Sequence, residues 1–142
     1  SHASADCLRI LQQELSSRHT MIRHCFDGDT SQFRDWKTTF PNCYFSISGK
    51  ATHRNCDKQL GMVIERIPND RLLLETDAPY LVPAGTSSRT NSPNLLLEVA
   101  KYIINVKTDC PVDEILRHPD GCNQLRHLLE MTDANARCCF NL

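Results

Sequence analysis

Apolar residues along the chain follow two alternating rhythms, one with a helical period and one with the shorter period of strands. Ala5 to Leu15 sets Leu8, Leu11 and Leu15 at helical spacing with Ile10 beside them, which predicts a helix. Thr20 to His24 is a short strand candidate, and it runs into Cys25-Phe26-Asp27-Gly28-Asp29, a loop rich in turn formers. The plan then repeats. Thr30 to Thr39 reads as a helix with Phe33, Trp36 and the following Phe40 on one side, and Asn42 to Ser48 reads as a strand closed by Gly49. Thr52 is placed to cap a helix over His53 to Arg66, whose Leu60, Val63, Ile64 and the adjoining Ile67 form an apolar stripe. Leu72 to Leu74, bounded by Pro68-Asn69-Asp70 behind and Pro79 ahead, suits a buried strand of a mainly parallel sheet. Ala84 to Thr90 is a small polar loop of the kind that carries function on α/β scaffolds. Ser92 as N-cap and Pro93 at the first helical position then start a helix over Leu95 to Val106. Val112 to Leu116, Asn123 to Met131 and Asp133 to Phe140 read as short helices, interrupted by His118-Pro119-Asp120-Gly121. Helix alternating with strand at this spacing predicts right-handed βα units on a parallel sheet, an α/β fold. Nothing resembling a linker or low-complexity tract divides residues 1–142, so one domain is expected.

The acidic end of the third strand is the first sign of chemistry. Successive strand side chains alternate between faces, so Leu73, Glu75 and Asp77 share one face while Leu74 and Thr76 share the other. Ionised carboxylates facing a closed interior are costly unless paired, hydrogen-bonded or bound to a cation. The pair therefore marks a site, although a salt bridge or a strand end already in water would satisfy the same pattern. His24, last residue of the first strand, shares a face with Ile22 and would point inward in a barrel, as a hydrogen-bonded structural residue or as a metal ligand.

Composition narrows the class. Over 142 residues the chain is 40% hydrophobic and 23% charged, ordinary for a globular domain. A formal net charge of -1 offers no global basic field for nucleic acid, though a local basic face is compatible with it. No apolar run approaches the length of a membrane span, and the N-terminus carries no signal-like core, so an intracellular protein, cytoplasmic or nuclear, is expected. The 8 cysteines are scattered with no C-x-x-C pair and are read as reduced thiols rather than a zinc cluster. The chain does not begin with Met, which points to a processed product or a piece of a longer chain.

His24-Cys25-Phe26-Asp27-Gly28, Ser48-Gly49, Ile67-Pro68 with Asp70 to Pro83, and Asn91-Ser92-Pro93 resemble, in order and spacing, the C-terminal half of TatD-type deoxyribonucleases. The likeness spans nearly the whole chain and is most specific around Leu73-Leu74-Glu75-Thr76-Asp77-Ala78-Pro79-Tyr80. It implies the C-terminal portion, about three βα units, of a TIM-type (β/α)₈ barrel of the metal-dependent hydrolase superfamily, with metal ligands at the C-terminal strand ends. On that pattern His24 and Asp77 match metal-binding positions. Glu75 matches an acid close to the metals that orients or electrostatically supports a ligand, giving Glu75 and Asp77 catalytic roles. Asn91 matches a loop position that would meet substrate. The implied cofactors are divalent ions, Mg²⁺, Mn²⁺ or Zn²⁺, and the implied partner is DNA, hydrolysed at its phosphodiester bonds.

The chain also departs from the family pattern. Asp27 stands where that pattern has Ser, His53 where it has an aromatic residue, and Ser92 where it has Glu. An acid at position 27 would either add a metal contact or repel phosphate. The His-x-His pair of a first strand, a bridging Glu and a further His that the resemblance leads one to expect are not in this chain, which would begin just downstream of the last of them. Thr132 to Leu142 resembles the helix that ends the family domain. A full barrel takes roughly 250 residues, so about the last three of eight strands are expected here, without the N-terminal strands. The 142 residues alone are then expected to show little or no activity, because a partial ligand set does not hold a competent metal site. Two other readings stay open: a non-catalytic binding module, and a different hydrolase, an esterase or amidase, on the same scaffold.

Overall fold

The structure, a computed structural model, describes residues 2–53 and 57–142. Its elements run α1 (His2–Glu14), β1 (Met21–Arg23), α2 (Thr30–Thr39), β2 (Cys43–Ile47), α3 (Asp57–Arg66), β3 (Leu72–Leu74), α4 (Leu96–Thr108) and α5 (Pro119–Phe140). The three strands form one sheet in the order β1-β2-β3, parallel throughout. In register, Ile22 lies beside Tyr44, Arg23 beside Phe45, and Phe45 in turn beside Leu72. The expected α/β class and βα rhythm are what the chain adopts. Parallel strands need crossovers, and α2 and α3 supply them.

Alternation along the strands sorts side chains between two faces. Cys43, Phe45, Ile47 and Leu72 join the main apolar cluster with Phe33 and Trp36 of α2, Val63 and Ile64 of α3, and Val99 and Ile103 of α4. Phe45, at 0% exposure, is its centre. The Phe26 ring meets it edge-on at 5.2 Å and 84°, and the Phe33 ring at 4.8 Å and 61°, both favourable quadrupole geometries. Tyr44, Ser46 and Leu73 are buried on the opposite face, outside that cluster. Every residue of β2 is buried, which is why it reads as a run with only rough alternation.

Helix ends follow ordinary capping chemistry. Asp29 is the N-cap of α2 and its carboxylate accepts from Gln32 N at 2.9 Å, while Asp109, in the left-handed region at φ 56°, closes α4. Ser92 behaves differently from expectation. Its hydroxyl donates to Asn94 Oδ1 instead of accepting from a helix N–H, and the chain enters α4 through a 3₁₀ turn over Pro93–Leu95. Thr52 caps no helix: it ends a 3₁₀ turn over Gly49–Thr52, and His53 is extended. The rest of that expected helix start, 54–56, lies outside the described residues.

The largest correction is at the C-terminus. Instead of two short helices, α5 is one helix of 22 residues, and 112–116 forms turns. Pro119 stands at its start, where a missing N–H costs nothing. Gly121 is there for contact, since a Cβ would lie 2.3 Å from the Ile115 carbonyl oxygen. Neither residue breaks the helix. Among the described residues all seven cysteines are free thiols, and burial pushes the Cys43 thiol up to about 12. No helix among them is long and apolar enough to cross a membrane.

α5 reaches the sheet through Asn135, 8% exposed, whose amide donates to Asn69 O at 2.7 Å and to Leu72 O at 2.9 Å. Two carbonyls at the start of β3 thus depend on one side chain. Asn135→Ala leaves both without that donor and is expected to lower stability by about 2 kcal/mol. Urea unfolding should show the midpoint falling with an unchanged slope. A midpoint equal to the parent's would mean that these bonds do not hold α5 to the sheet.

Candidate metal centre

All three strands end on the same side of the sheet, and hydrogen bonds carry the ladder slightly past each end. Phe26 N donates to Ser46 O at 2.9 Å and Glu75 N donates to Ile47 O at 3.0 Å. His24 therefore leaves β1 as the first residue after it rather than its last, followed by a sharp turn in which Cys25 has φ 45°. Asp77 sits in the left-handed region at φ 55°, so its side chain is not aimed by strand alternation as expected. Aspartate tolerates this conformation better than most residues, and a non-glycine held there often marks a functional position.

The three side chains converge. His24 Nδ1 lies 2.6 Å from Glu75 Oε2 and His24 Nε2 lies 3.1 Å from Asp77 Oδ1. One ligand atom from each residue falls within 4.8 Å of the others. The imidazole is open to solvent, its side chain 68% exposed, whereas those of Glu75 and Asp77 are 15% and 21% exposed. Glu75 Oε1 is buried and has no hydrogen-bond partner among the described residues. A lone pair left so, beside a second carboxylate, is a position that a cation satisfies. Imidazole nitrogen with carboxylate oxygen suits Zn²⁺ or Mn²⁺ and, through the oxygens, Mg²⁺.

Cys25 and Ser48 adjoin this cluster, Sγ to Oγ at 3.2 Å. Burial pushes the Cys25 thiol up, the Ser48 contact opposes this, and the neighbouring Asp77 carboxylate adds to it, so the sulfur keeps its proton at neutral pH. The nitrogen and oxygen donors that converge at ligating distance are those of His24, Glu75 and Asp77.

The loops after the strands are fastened to one another. Thr52 Oγ1 donates to Gly49 O and accepts from Ala84 N, each at 2.7 Å, and the His53 ring meets Val82 O at 2.8 Å. Gly49 is pressed so closely that a Cβ would stand 2.1 Å from Leu81 O, next to Pro83. The loop after β2 thus lies flat on the loop after β3. The loop after β1 is joined as well, because Lys50 Nζ pairs with Asp27 Oδ2 at 2.5 Å. Asp27 consequently faces an ammonium group.

Asn91 takes a different place from the substrate contact expected of it. It is 3% exposed, and its amide donates to Tyr80 O at 2.7 Å, to Leu81 O at 3.0 Å and also to Thr76 O. Its Oδ1 accepts from Ser92 N at 2.8 Å. The side chain faces into the loop and holds the Asp77 turn closed. Burial of a polar residue there follows from four backbone partners, which sequence spacing does not reveal. Ser48, Thr52 and Lys50 were also missed as site neighbours; the Ser48-Gly49 pair was the available signal.

A parallel sheet with a histidine and two acids gathered at its carboxyl end is the arrangement expected of part of a metal-dependent α/β-barrel hydrolase. Within that class the chain belongs to the TatD related DNase family, whose model matches residues 1–141. It is 36% identical over 105 residues to the uncharacterized metal-dependent hydrolase YabD of Bacillus subtilis, covering 74% of this chain and 40% of that protein. It is 33% identical over 108 residues to the 3'-5' ssDNA/RNA exonuclease TatD of Cronobacter sakazakii, covering 70% of this chain and 40% of that protein. The crystal structure of YJJV, a TatD homolog from Escherichia coli, superposes with a TM-score of 0.72 at 22% identity, over 98% of this chain and 47% of that one. The chain spans less than half the length of these relatives.

Removing the Asn91 amide should loosen the 75–92 loop while leaving the sheet intact. Asn91→Ala is expected to raise the rate of limited proteolysis within 75–92 about tenfold, equivalent to about 1.4 kcal/mol of local opening, with an unaltered far-ultraviolet circular dichroism spectrum. Cleavage at the parent's rate would show that the loop is held by other contacts.

Proposed function

We propose that the whole protein hydrolyses phosphodiester bonds of nucleic acid, DNA first among them, with a divalent ion held in part by His24 and Asp77, and that this chain supplies the carboxyl-terminal part of the barrel. The observation that carries the reading is the His24–Glu75–Asp77 cluster at the strand ends, with its unpartnered Glu75 oxygen. Membership of the TatD related DNase family supports it, as does the likeness to the 3'-5' ssDNA/RNA exonuclease TatD of Cronobacter sakazakii.

Each residue has a role that its contacts permit. Glu75 meets His24 Nδ1 at 2.6 Å and so orients the imidazole; with the proton on Nδ1, Nε2 would present its lone pair beside Asp77 to the ion. Asp77 contributes an anionic oxygen from a turn that Asn91 holds. When bound, a divalent ion supplies an activated water and charge stabilisation on the phosphoryl oxygens. Two carboxylates at the mouth repel a phosphodiester, so substrate binding depends on the cation that neutralises them. Among the described residues the donors number three, fewer than Mg²⁺ or a closed Zn²⁺ site takes, so the chain alone is expected to bind metal weakly and turn over little.

In the full-length protein, Mg²⁺ or Mn²⁺ should support release of nucleotides from DNA, and a chelator should abolish it. Asp77→Asn and His24→Ala are expected to lose activity by at least about 10³-fold, and Glu75→Gln to weaken metal affinity about 10- to 100-fold. Nucleotide release that survives Asp77→Asn, or a preparation that cleaves carboxylic ester or amide probes and leaves DNA intact, would overturn the proposal.

A further inference from the structure

We propose that Lys50 is a phosphate-contacting side chain of this site, and that Asp27 is a resident counter-ion which the phosphate of an incoming nucleic-acid strand displaces. The proposal rests on the nuclease reading above and adds a residue that binds substrate without binding metal. Lys50 belongs to the Gly49–Thr52 turn directly after β2, at the same end of the sheet as His24 and Asp77. Its backbone N–H donates to Ser48 Oγ at 3.3 Å, Ser48 Oγ lies 3.2 Å from Cys25 Sγ, and Cys25 in turn feels the Asp77 carboxylate. A short run of contacts therefore joins the root of this lysine to the metal-ligating cluster. Its four-carbon stem carries the ammonium group across to the loop after β1, where Asp27 Oδ2 receives it.

The pair contributes little as a fold element. The two side chains are 38% and 55% exposed, and exposed ion pairs are worth about 0–1 kcal/mol. Its place is informative for another reason. The cluster beside it carries two acids and one imidazole, an environment that repels phosphate on every side a metal does not cover. A strand engaged at that cluster presents further phosphates to the surrounding loops, and Lys50 is a cation fastened to the loops flanking it. An ammonium group is a strong point-charge partner for phosphate oxygens. A weakly held, solvent-accessible carboxylate keeps it oriented at the mouth and yields it to the substrate.

Displacement fixes the signs of the effects. In the full-length enzyme with a short single-stranded DNA, Lys50→Met is expected to raise KM about fivefold with kcat unchanged, and to reduce the salt dependence of binding by about 0.7 in log–log slope. Asp27→Asn should act the other way, lowering KM about twofold, because one competitor for the ammonium, and a negative charge near the incoming phosphate, are removed. The double variant should fall between Lys50→Met and the parent, since it also removes the Asp27 charge that Lys50→Met leaves unpaired. Lys50→Arg should restore the parent's KM and slope. Thermal unfolding of each variant identifies any that misfolds, and Lys50→Gln then replaces Lys50→Met. Unchanged KM and salt slope in the lysine variants of an active enzyme would overturn the inference, as would Asp27→Asn and Lys50→Met shifting KM in the same direction. Binding of the same labelled oligonucleotide, followed by fluorescence anisotropy, separates the two readings. A parent that binds it through Lys50 without cleaving removes the nuclease reading alone, and a parent that neither binds nor cleaves removes both.

Discussion

β2 lies between two parallel neighbours, and its last two carbonyls point to opposite sides: Ser46 O accepts from Phe26 N and Ile47 O from Glu75 N. These bonds extend the sheet beyond the residues that are formally strand. They hold the segments carrying His24 and Glu75 at a fixed spacing, so the 2.6 Å contact between those side chains is set by backbone geometry before any side-chain preference acts. A half-buried carboxylate next to an imidazole tolerates little slack, because a small shift gives up a hydrogen bond that the charge depends on. The precision required of a metal site is thus inherited from the middle strand.

That strand is held in place from the helical side. Phe45 sits at the meeting point of Phe26 and Phe33 and makes no contact with the chemistry, yet it is the residue around which β1 and α2 register against β2. Arg23 illustrates the cost of the arrangement. Its guanidinium stacks 4.2 Å over the Trp36 ring while its Nε stays buried without a hydrogen bond among the described residues. Cation–π attraction offsets part of that desolvation. The apolar layer tolerates a charged residue on β1 because the aromatic wall of α2 faces it.

Much of this was legible in the residues. The apolar stripes of α2 and α3 and the short run Leu72–Leu74 reported their elements directly, because burial on one side imposes the period that a reader detects. That the acids at positions 75 and 77 and the histidine at 24 gather at the strand ends was legible through their positions and the resemblance of the segments around them. What escaped was tertiary in origin. Pro119 and Gly121 read as breakers, yet a helix start and a close approach to Ile115 use the same two residue types. Thr52 and Asn91 read as a cap and a substrate contact. Both instead satisfy loop backbone contributed from far along the chain, as when Thr52 meets Ala84, and no local pattern encodes such a partner. Alternation placed Asp77 on the right face for the wrong reason, since a left-handed residue rather than a continuing strand aims it.

Electrostatics connects the loops to the centre they surround. Glu75 and Asp77 bring two negative charges to the end of a sheet, and His24, when neutral, offers orientation without compensation. A third acid on the next loop, Asp27, would deepen that negative field if it faced the cluster. The structure turns it toward Lys50, so positions 27 and 50 together add no net charge and the field at the mouth remains that of Glu75 and Asp77. A divalent cation bound there would cancel those two charges, and an ammonium group at the rim would then add attraction for an anion instead of merely balancing a neighbour. On the proposed reading the same loop arrangement would favour metal first and anionic substrate second, an order set by the charges of four side chains and by the hydrogen bonds that keep their loops in contact.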